Sequence, residues 1–238
     1  MYNNLAQCVR GEDLTPDLAA QLIGYAAGAG GRDGLADSLS VEGLFGLETF
    51  EGIRTGDLNH IGMAPQGIET ILIRLYGTGL ARPLLNRDEE TYADIMTRMS
   101  DTVRLPFYKA KPLLDQINAE INSLPRTRFL SRTLLPALTR TAEAQARNEA
   151  QWGLMQVGLA VEQYHAQHGD YPQTLDQVAP IVGGAIPLDP FTGQPYVYQP
   201  SGGSFVLYSA MGNVIDPREG FRPQGMDEQG NLVWRGPR

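Results

Sequence analysis

The stretch that decides the fold is residues 164–208, which read YHAQHGDYPQTLDQVAPIVGGAIPLDPFTGQPYVYQPSGGSFVLY. A helix is predicted to end at Gly169, because glycine readily adopts the left-handed conformation that terminates helices. Beyond it, glycine and proline are dense, and aromatic and β-branched residues form two short runs at 196–198 and 205–208. Two such runs around a Gly-containing connection predict an antiparallel hairpin. With residues 231–234 as a further candidate, the predicted sheet is small and has about three strands.

A long helix is predicted to lead into this sheet. Apolar residues recur at steps of three and four from Leu134 to Tyr164, which is the pattern of one buried helix face. The helix is predicted to span residues 130–168, with Pro136 tolerable only near its first turn. Its first half is rich in alanine and polar residues, so the helix is predicted to be amphipathic and not membrane-spanning.

The residues before the long helix also carry helical patterns. The helix predicted over residues 33–54 places Leu39, Leu44 and Phe50 on its apolar side. It also contains glycines that either weaken it or let another helix pack close, namely Gly43, Gly46 and Gly52. The predicted fold class is therefore α+β, with roughly the N-terminal two-thirds of the chain mostly helical. Two domains are predicted, a helical region over residues 1–129 and a C-terminal α+β domain over residues 130–238.

The composition excludes several classes of function. The net charge is −8, and no dense cluster of lysine and arginine supplies the basic face that a nucleic-acid-binding protein needs. The single cysteine, Cys8, excludes an intrachain disulfide and neither requires nor rules out an oxidising compartment. The sequence contains no GxSxG, P-loop or HExxH motif. Nucleic acid is therefore not a predicted partner.

Short motifs follow one another in a fixed order after the long helix. They are Tyr164, Gly169-Asp170-Tyr171-Pro172, Pro187-Leu188-Asp189-Pro190-Phe191, Pro195-Tyr196-Val197-Tyr198, Leu207-Tyr208-Ser209 and Asn231-Leu232-Val233-Trp234. In this order and spacing they resemble the globular domain of the type II secretion major pseudopilin. The resemblance implies a long helix packed on a small antiparallel sheet, a role in assembly and not in catalysis, and a calcium ion bound in the loop before the closing tryptophan.

That loop, residues 209–231, holds the candidate metal ligands. Asn213, Asp216 and Asp227 offer hard oxygen donors in a Gly-containing segment, and calcium is a hard cation that takes only oxygen ligands. The resemblance implies a calcium site formed by these residues. The alternative is a solvent-facing loop held by Asx turns.

Other polar residues near the motifs have both chemical and structural interpretations. His165 and His168 share one face of the helix end and, with Asp170, form a second candidate metal site, although histidines at a helix C-terminus also suit the helix dipole. Asp189 is predicted to anchor its loop by accepting backbone N–H bonds. Tyr171 is predicted to pack over the end of the long helix.

The whole chain resembles a group of bacterial membrane-anchored proteins that have a helical middle and a pseudopilin-like C-terminal domain. Residues 45–50 (FGLETF) and 130–138 (LSRTLLPAL) carry this resemblance together with the C-terminal motifs. It implies a non-enzymatic, extracytoplasmic scaffold or assembly protein on the periplasmic side, whose partner is another protein or further copies of this chain. It also implies that the chain is held at the membrane only through an N-terminal anchor that lies outside residues 1–238. The alternatives are a hydrolase-type enzyme with a cleft between the helical region and the C-terminal sheet, and a cytosolic helical adaptor.

Overall fold

A computed structural model of the chain describes residues 16–29, 33–56, 78–137, 139–201, 203–210, 225–226 and 232–235. The fold is α+β, as predicted: helices occupy most of the described residues, and a small antiparallel sheet follows them in the sequence. The chain forms two compact units. The sheet unit combines Met1–Gly31 with Ala144–Arg238, and the helical unit is Arg32–Glu143.

The bounds of the elements are as follows. The described helices are α1 (Pro16–Ala29), α2 (Asp33–Thr55), α3 (Arg82–Val103), α4 (Phe107–Ser123), α5 (Phe129–Leu134) and α6 (Thr139–His168). Short 3₁₀ turns span Leu135–Ala137 and Leu175–Val178. The strands are β1 (Val197–Ser201), β2 (Ser204–Ser209), β3 (Gly225–Met226) and β4 (Leu232–Arg235).

The long helix predicted over residues 130–168 is broken at Pro136. Helix α5 ends at Leu134, a 3₁₀ turn covers Leu135–Ala137, and α6 begins at Thr139. Proline has no N–H group for the helical ladder, and its ring collides with the carbonyl group four residues earlier. The prediction of one continuous helix is therefore wrong, and α6 alone, with 30 residues, leads into the sheet unit's loops and strands.

In the helical unit, α2 packs against α3 along a seam of buried residues. They recur at steps of three and four along α2 and include Ala36, Leu39, Gly43, Gly46, Phe50 and Ile53. The helices come close at the two glycines. A Cβ on Gly46 would overlap the Tyr92 hydroxyl, and one on Gly43 would lie 3.4 Å from Met96 Cε. The interpretation in which glycines of this helix let another helix pack close is confirmed at Gly46, and it stays a prediction for Gly52.

Leu44 lies outside this seam, so its predicted place on the buried side of the helix is wrong. Leu44 is 63% exposed, and its neighbours Val41 and Phe45 are 52% and 59% exposed. The prediction gave priority to large apolar residues, whereas close helix packing needs small residues at the centre of the buried face. Because each residue advances about 100° around a helix, the rotation that buries Gly43 and Gly46 against α3 turns Leu44 out of the buried seam and toward the surface.

A buried carboxylate joins α3 to the start of α5. Asp88 is fully buried, and it accepts hydrogen bonds from the N–H groups of Leu130 (2.9 Å) and Ser131 (3.2 Å) and from the Ser131 hydroxyl (2.6 Å). N–H groups in the first turn of a helix have no partner within that helix, so Asp88 satisfies two of them from another helix. The apolar core of the helical unit contains Phe50, Ile53, Leu85, Tyr92, Ile95, Met96, Met99, Ile117, Ile121, Leu130 and Leu135.

In the sheet unit, the strands form one antiparallel sheet in the order β1-β2-β4-β3. The strands predicted at 196–198, 205–208 and 231–234 are confirmed as β1, β2 and β4, with ends shifted by up to a few residues. Strand β3 was not predicted, because two residues show no alternation of apolar and polar side chains.

Residues from both the helices and the strands form the apolar core of the sheet unit. Its buried members are Ile23, Ala26, Ala150, Leu154, Met155, Val157, Leu159, Ala160, Val161, Tyr171, Leu175, Val178, Tyr196, Phe205 and Leu207. Helix α1 therefore packs with the C-terminal elements, and Tyr25 on it meets the ring of Trp152 edge-on at 5.5 Å between centroids. The predicted domain division assigns α1 to the helical region and residues 130–143 to the C-terminal domain. The compact units differ from that division in both places, because α1 belongs to the sheet unit and residues 130–143 belong to the helical unit.

Replacing Gly46 with alanine is expected to destabilise the helical unit, because the added Cβ would overlap the buried Tyr92 side chain. Overpacking of this kind costs about 1–3 kcal/mol in the free energy of unfolding. The matched control is Gly34→Ala on the same helix, where no atom lies within 4 Å of the added Cβ. That variant is expected to be neutral or slightly stabilising. Urea unfolding followed by circular dichroism measures both, and equal stabilities would contradict the close packing at Gly46.

Candidate functional site

The Asp189 carboxylate joins two separate segments of the sheet unit. Asp189 is 1% exposed. Its Oδ1 accepts a hydrogen bond from the Phe191 N–H (2.9 Å), and its Oδ2 accepts one from the Ala210 N–H (3.1 Å). The first bond closes the Pro-bounded loop, and the second holds the chain directly after β2, where residues 211–231 begin. The prediction that Asp189 anchors its loop by accepting backbone N–H bonds is confirmed.

Backbone hydrogen bonds hold Asp189 itself in place. Its N–H donates to the Gln194 carbonyl oxygen (2.8 Å), and the Gly193 N–H donates to the Asp189 carbonyl oxygen (2.8 Å). Gly193 has a φ of 69°, in the left-handed region that glycine adopts without strain. Residues 189–194 therefore form a closed turn, which we call the Asp189 turn.

Burial raises the pKa of the Asp189 carboxyl above its ordinary value, because the ionised form loses its hydration. Hydrogen bonds from Phe191, Ser209, Ala210 and Thr192 act in the opposite direction and offset only part of this rise in pKa. A carboxylate whose two oxygens both accept hydrogen bonds from the protein backbone is an anchor for those segments.

Aromatic side chains cover the end of α6. Tyr171 is buried, its ring stacks on His165 with 4.1 Å between centroids, and its hydroxyl donates a hydrogen bond to Glu162 (3.2 Å). The Tyr198 hydroxyl on β1 donates a hydrogen bond to the Pro172 carbonyl oxygen (2.8 Å). These contacts tie the turn after α6 to both the helix and the sheet. The prediction that Tyr171 packs over the end of the helix is confirmed.

The two tyrosine hydroxyls in this cluster stay protonated at neutral pH. Burial raises the pKa of Tyr171, and it raises the pKa of Tyr198 to about 12. The negative charge of Glu162 adds to the rise in pKa at both residues. Both hydroxyls therefore act as hydrogen-bond donors that hold the turn after α6.

Tyr196 packs on α6 at a glycine, a contact that sequence reasoning missed. A Cβ on Gly153 would overlap the Tyr196 hydroxyl. Tyr196 is buried, and its hydroxyl lies 3.4 Å from the Ala150 carbonyl oxygen as a long hydrogen bond. The available signal was a glycine in the interior of a helix, which is unfavourable unless something packs closely there; α6 carries two such glycines, Gly153 and Gly158, and the sequence does not mark Gly153 as the one that Tyr196 contacts.

The predicted metal ligands fall into two groups. Asn213, Asp216 and Asp227 lie outside the described residues. The second candidate site, which includes Asp170, is not formed, because no group of three or more His, Cys, Asp or Glu residues in the described part of the chain could hold a metal ion.

The two histidines of that second candidate site are used in packing. His168 stacks on the Tyr164 ring with 4.0 Å between centroids, and its Nδ1 lies 2.9 Å from the Tyr164 carbonyl oxygen. His165 stacks on Tyr171. Both rings therefore cover the last turn of α6 and belong to the same aromatic cluster.

A groove runs between α2 and α3 in the helical unit, with a volume of about 370 Å³. Apolar side chains form much of its lining, among them Leu39, Leu44, Leu47, Tyr92 and Met96. The hydroxyl oxygens of Ser40 and Ser100 lie 3.1 Å apart within it and link the two helices. No sequence motif marks this groove, so sequence reasoning did not find it.

Comparisons with protein-family models, curated proteins and solved structures find no match for this chain. Among the helices of the described ranges, none is both long and apolar enough to cross a membrane. Two features of the described residues are candidate functional sites: the Asp189 turn with its aromatic neighbours, and the groove between α2 and α3.

Replacing Asp189 with asparagine is expected to destabilise the sheet unit by about 1–3 kcal/mol, because an amide cannot accept hydrogen bonds from both backbone N–H groups. Since the pKa of Asp189 is raised in the folded state, protonation favours folding. That contribution is complete below the unfolded pKa of about 3.9 and is lost as pH rises through the folded value. The stability difference between wild type and Asp189→Asn is therefore expected to grow in favour of wild type as pH falls from 7 to 4.

Urea unfolding at several pH values in this range measures that difference. The matched control is Asp176→Asn, since Asp176 is an exposed carboxylate in the same unit, and surface substitutions stay within about 0.5 kcal/mol. A difference that shrinks toward pH 4 would show that the folded-state pKa of Asp189 is lowered, contrary to the expectation.

Proposed function

We propose that this chain is a non-enzymatic, extracytoplasmic scaffold or assembly protein whose sheet unit is a pseudopilin-like domain. The observation that carries the proposal is the bonding of Asp189. Asp189 of the Pro-Leu-Asp-Pro-Phe motif begins the closed Asp189 turn, and its carboxylate accepts the N–H of Ala210, directly after β2 (3.1 Å), and a hydrogen bond from the Ser209 side chain. Through Ser209, two of the motifs on which the resemblance rests, at 187–191 and 207–209, are joined in one bonded arrangement.

The other motifs on which the resemblance rests also make contacts that hold the helix, the turn after it and the sheet together. Gly169 follows the end of α6 with a φ of 83°, and Tyr171 covers the last turn of the helix. Tyr196 lies against α6 at Gly153, and Tyr198 bonds the turn after the helix. A long helix packed on a small antiparallel sheet is what the resemblance implies for the fold, and this arrangement supports the proposed domain type.

The structural roles of the titratable side chains favour a function through protein–protein contacts over a catalytic one. Asp189 bonds two backbone N–H groups, and His165 and His168 stack on tyrosine rings. A catalytic acid or base is expected in a pocket where polar groups converge on a substrate, and these three side chains are used in packing and anchoring. The hydrolase-type enzyme and the cytosolic adaptor stay predictions.

Calcium is the cofactor of this proposal. The segment between β2 and β4, which we call the acidic loop, has its two ends held together, because Ser209 on β2 pairs with Leu232 on β4. The loop between them carries the predicted ligands Asn213, Asp216 and Asp227. Their donors are oxygen atoms, as calcium prefers, and loop carbonyl groups commonly complete such a site. When bound, the ion would hold the acidic loop in one conformation.

Calcium is expected to raise the unfolding temperature of the protein, and EDTA to reverse the effect. A ligand at about 100 times its dissociation constant stabilises the folded state by about 2.7 kcal/mol. The double variant Asp216→Asn with Asp227→Asn is expected to lose this response, and Asp170→Asn, an exposed carboxylate of the same unit, is expected to keep it. Thermal unfolding with calcium, magnesium and EDTA makes the measurement. Identical curves in calcium and EDTA would remove calcium from the proposal.

Photo-crosslinking in bacteria that carry the native gene tests the scaffold function. A photoreactive residue at Gln194, which is exposed in the Asp189 turn, is expected to give discrete adducts with a protein partner or with a second copy. The same position in an Asp189→Asn background is expected to give less adduct, because the turn loses its anchor. A phosphatase that is active only outside the cytoplasm, fused to the C-terminus of the native gene product, reports the location.

The controls separate assembly from location. The photoreactive residue at Lys111 on α4 tests a surface of the helical unit at the same expression level. Inactive phosphatase would overturn the extracytoplasmic location, and crosslinked adducts would still support assembly. Absence of adducts from every exposed position of the sheet unit would overturn assembly through that unit.

A further inference from the structure

Helix α2 carries two apolar faces. One is the seam with α3, which is centred on Gly43 and Gly46. The other contains Val41, Leu44 and Phe45, which are 52%, 63% and 59% exposed. At about 100° per residue these three point away from the seam, and Leu44 is the one that lies nearest to the groove. We call them the α2 ridge.

The α2 ridge is continuous with the groove between α2 and α3. Leu44 belongs to both, since it lines the groove and is largely exposed. Leu39 and Leu47 also line the groove, and they lie about two helical turns apart along α2. The apolar surface is therefore elongated along a helix axis. Contiguous exposed apolar surface on a soluble unit marks a site of interaction with another molecule.

The surface around the groove is acidic. Among the described residues, the charged side chains that line the groove or the adjoining pocket, or that neighbour this lining, are Asp37, Glu48 (one helical turn from Leu44), Arg54, Glu89, Glu90, Asp101 and Arg104. Arg104 Nη2 lies 3.6 Å from Asp37 Oδ1, so the guanidinium group is already shared with a carboxylate. Five carboxylates against two guanidinium groups leave three negative charges around the apolar surface. This charge favours an occupant that carries lysine or arginine beside its apolar residues.

We propose that the groove and the α2 ridge bind a basic amphipathic helix of a partner protein. Such a helix places apolar residues at steps of three and four in a hydrophobic groove, and its flanking lysines and arginines would meet Glu48, Glu90 and Asp101. A second copy of this chain would bring the same negative charge to the surface, and nucleic acid or an anionic membrane would also be repelled. The inference rests on the proposed function only in taking the occupant to be a protein.

Binding of synthetic peptides to the full chain tests this inference. The probe is a fluorescein-labelled Leu/Lys peptide of about 18 residues with its leucines at helical spacing. Its two controls are a shuffled peptide of the same composition and a Leu/Glu peptide with the same spacing. Fluorescence anisotropy is expected to show binding of the Leu/Lys helix at least about tenfold tighter than that of either control. The affinity is expected to fall as salt screens the acidic rim.

Variants locate the binding surface. Leu44→Ser and Phe45→Ser are each expected to weaken Leu/Lys binding about tenfold, because they remove exposed apolar anchors. The matched control is Leu113→Ser on α4, a leucine of the same unit that is 40% exposed and lies outside the groove lining. It is expected to leave the affinity unchanged. Glu48→Lys with Asp101→Lys is expected to weaken Leu/Lys binding and to strengthen Leu/Glu binding.

Several results would overturn the inference. Equal affinity for the shuffled peptide would show that net charge alone drives binding. Equal weakening by Leu113→Ser and Leu44→Ser would place the site elsewhere. Dimers in sedimentation equilibrium that Leu44→Ser dissociates would assign the ridge to a second copy of the chain. Loss of peptide binding with adducts retained at Gln194 would remove the groove site and leave the proposed scaffold function in place.

Discussion

A tyrosine ring lying against a helix at a glycine is the contact on which packing depends in both units. In the helical unit Tyr92 of α3 lies against α2 at Gly46, and in the sheet unit Tyr196 lies against α6 at Gly153. In each case a Cβ at the glycine would overlap the tyrosine hydroxyl. Glycine lowers the intrinsic stability of a helix by about 1 kcal/mol relative to alanine. Burial of an aromatic side chain offsets this cost, because such a ring removes a large area from water.

Two buried carboxylates add hydrogen bonds between distant segments to the apolar contacts within each unit. Asp88 accepts N–H groups at the start of α5, more than 40 positions along the chain, and Asp189 accepts the N–H of Ala210, 21 positions along. In both cases the donor is a backbone group that regular secondary structure leaves unpaired. An unpaired buried N–H costs about 1–3 kcal/mol, so each aspartate removes a local penalty and fixes a distant segment in the same contact. The polar bonds thereby specify which segments meet, and the apolar cores stabilise them.

Local signals in the sequence were sufficient to predict much of this arrangement. The α+β class, the helix over 33–54, the strands that became β1, β2 and β4, and the anchoring by Asp189 were all predictable, because each follows from periodicity or from the bonding capacity of one residue. The break in the helix at Pro136 was not predicted, because the apolar residues keep their helical spacing on both sides of it. The contact of Tyr196 with Gly153 was out of reach, since no local pattern states which distant ring a glycine accommodates.

The misplacement of Leu44 has the widest consequence for function. Amphipathic analysis assumes that a helix turns its bulkiest apolar residues inward, but α2 turns Gly46 inward because Tyr92 occupies the space that a side chain would need. Its leucine and phenylalanine at 44 and 45 are left on the surface, beside a groove with an acidic rim. The core gains nothing from these two exposed side chains, and large exposed apolar residues promote association. The close packing that stabilises the helical unit thus also produces the apolar surface on which a partner can dock.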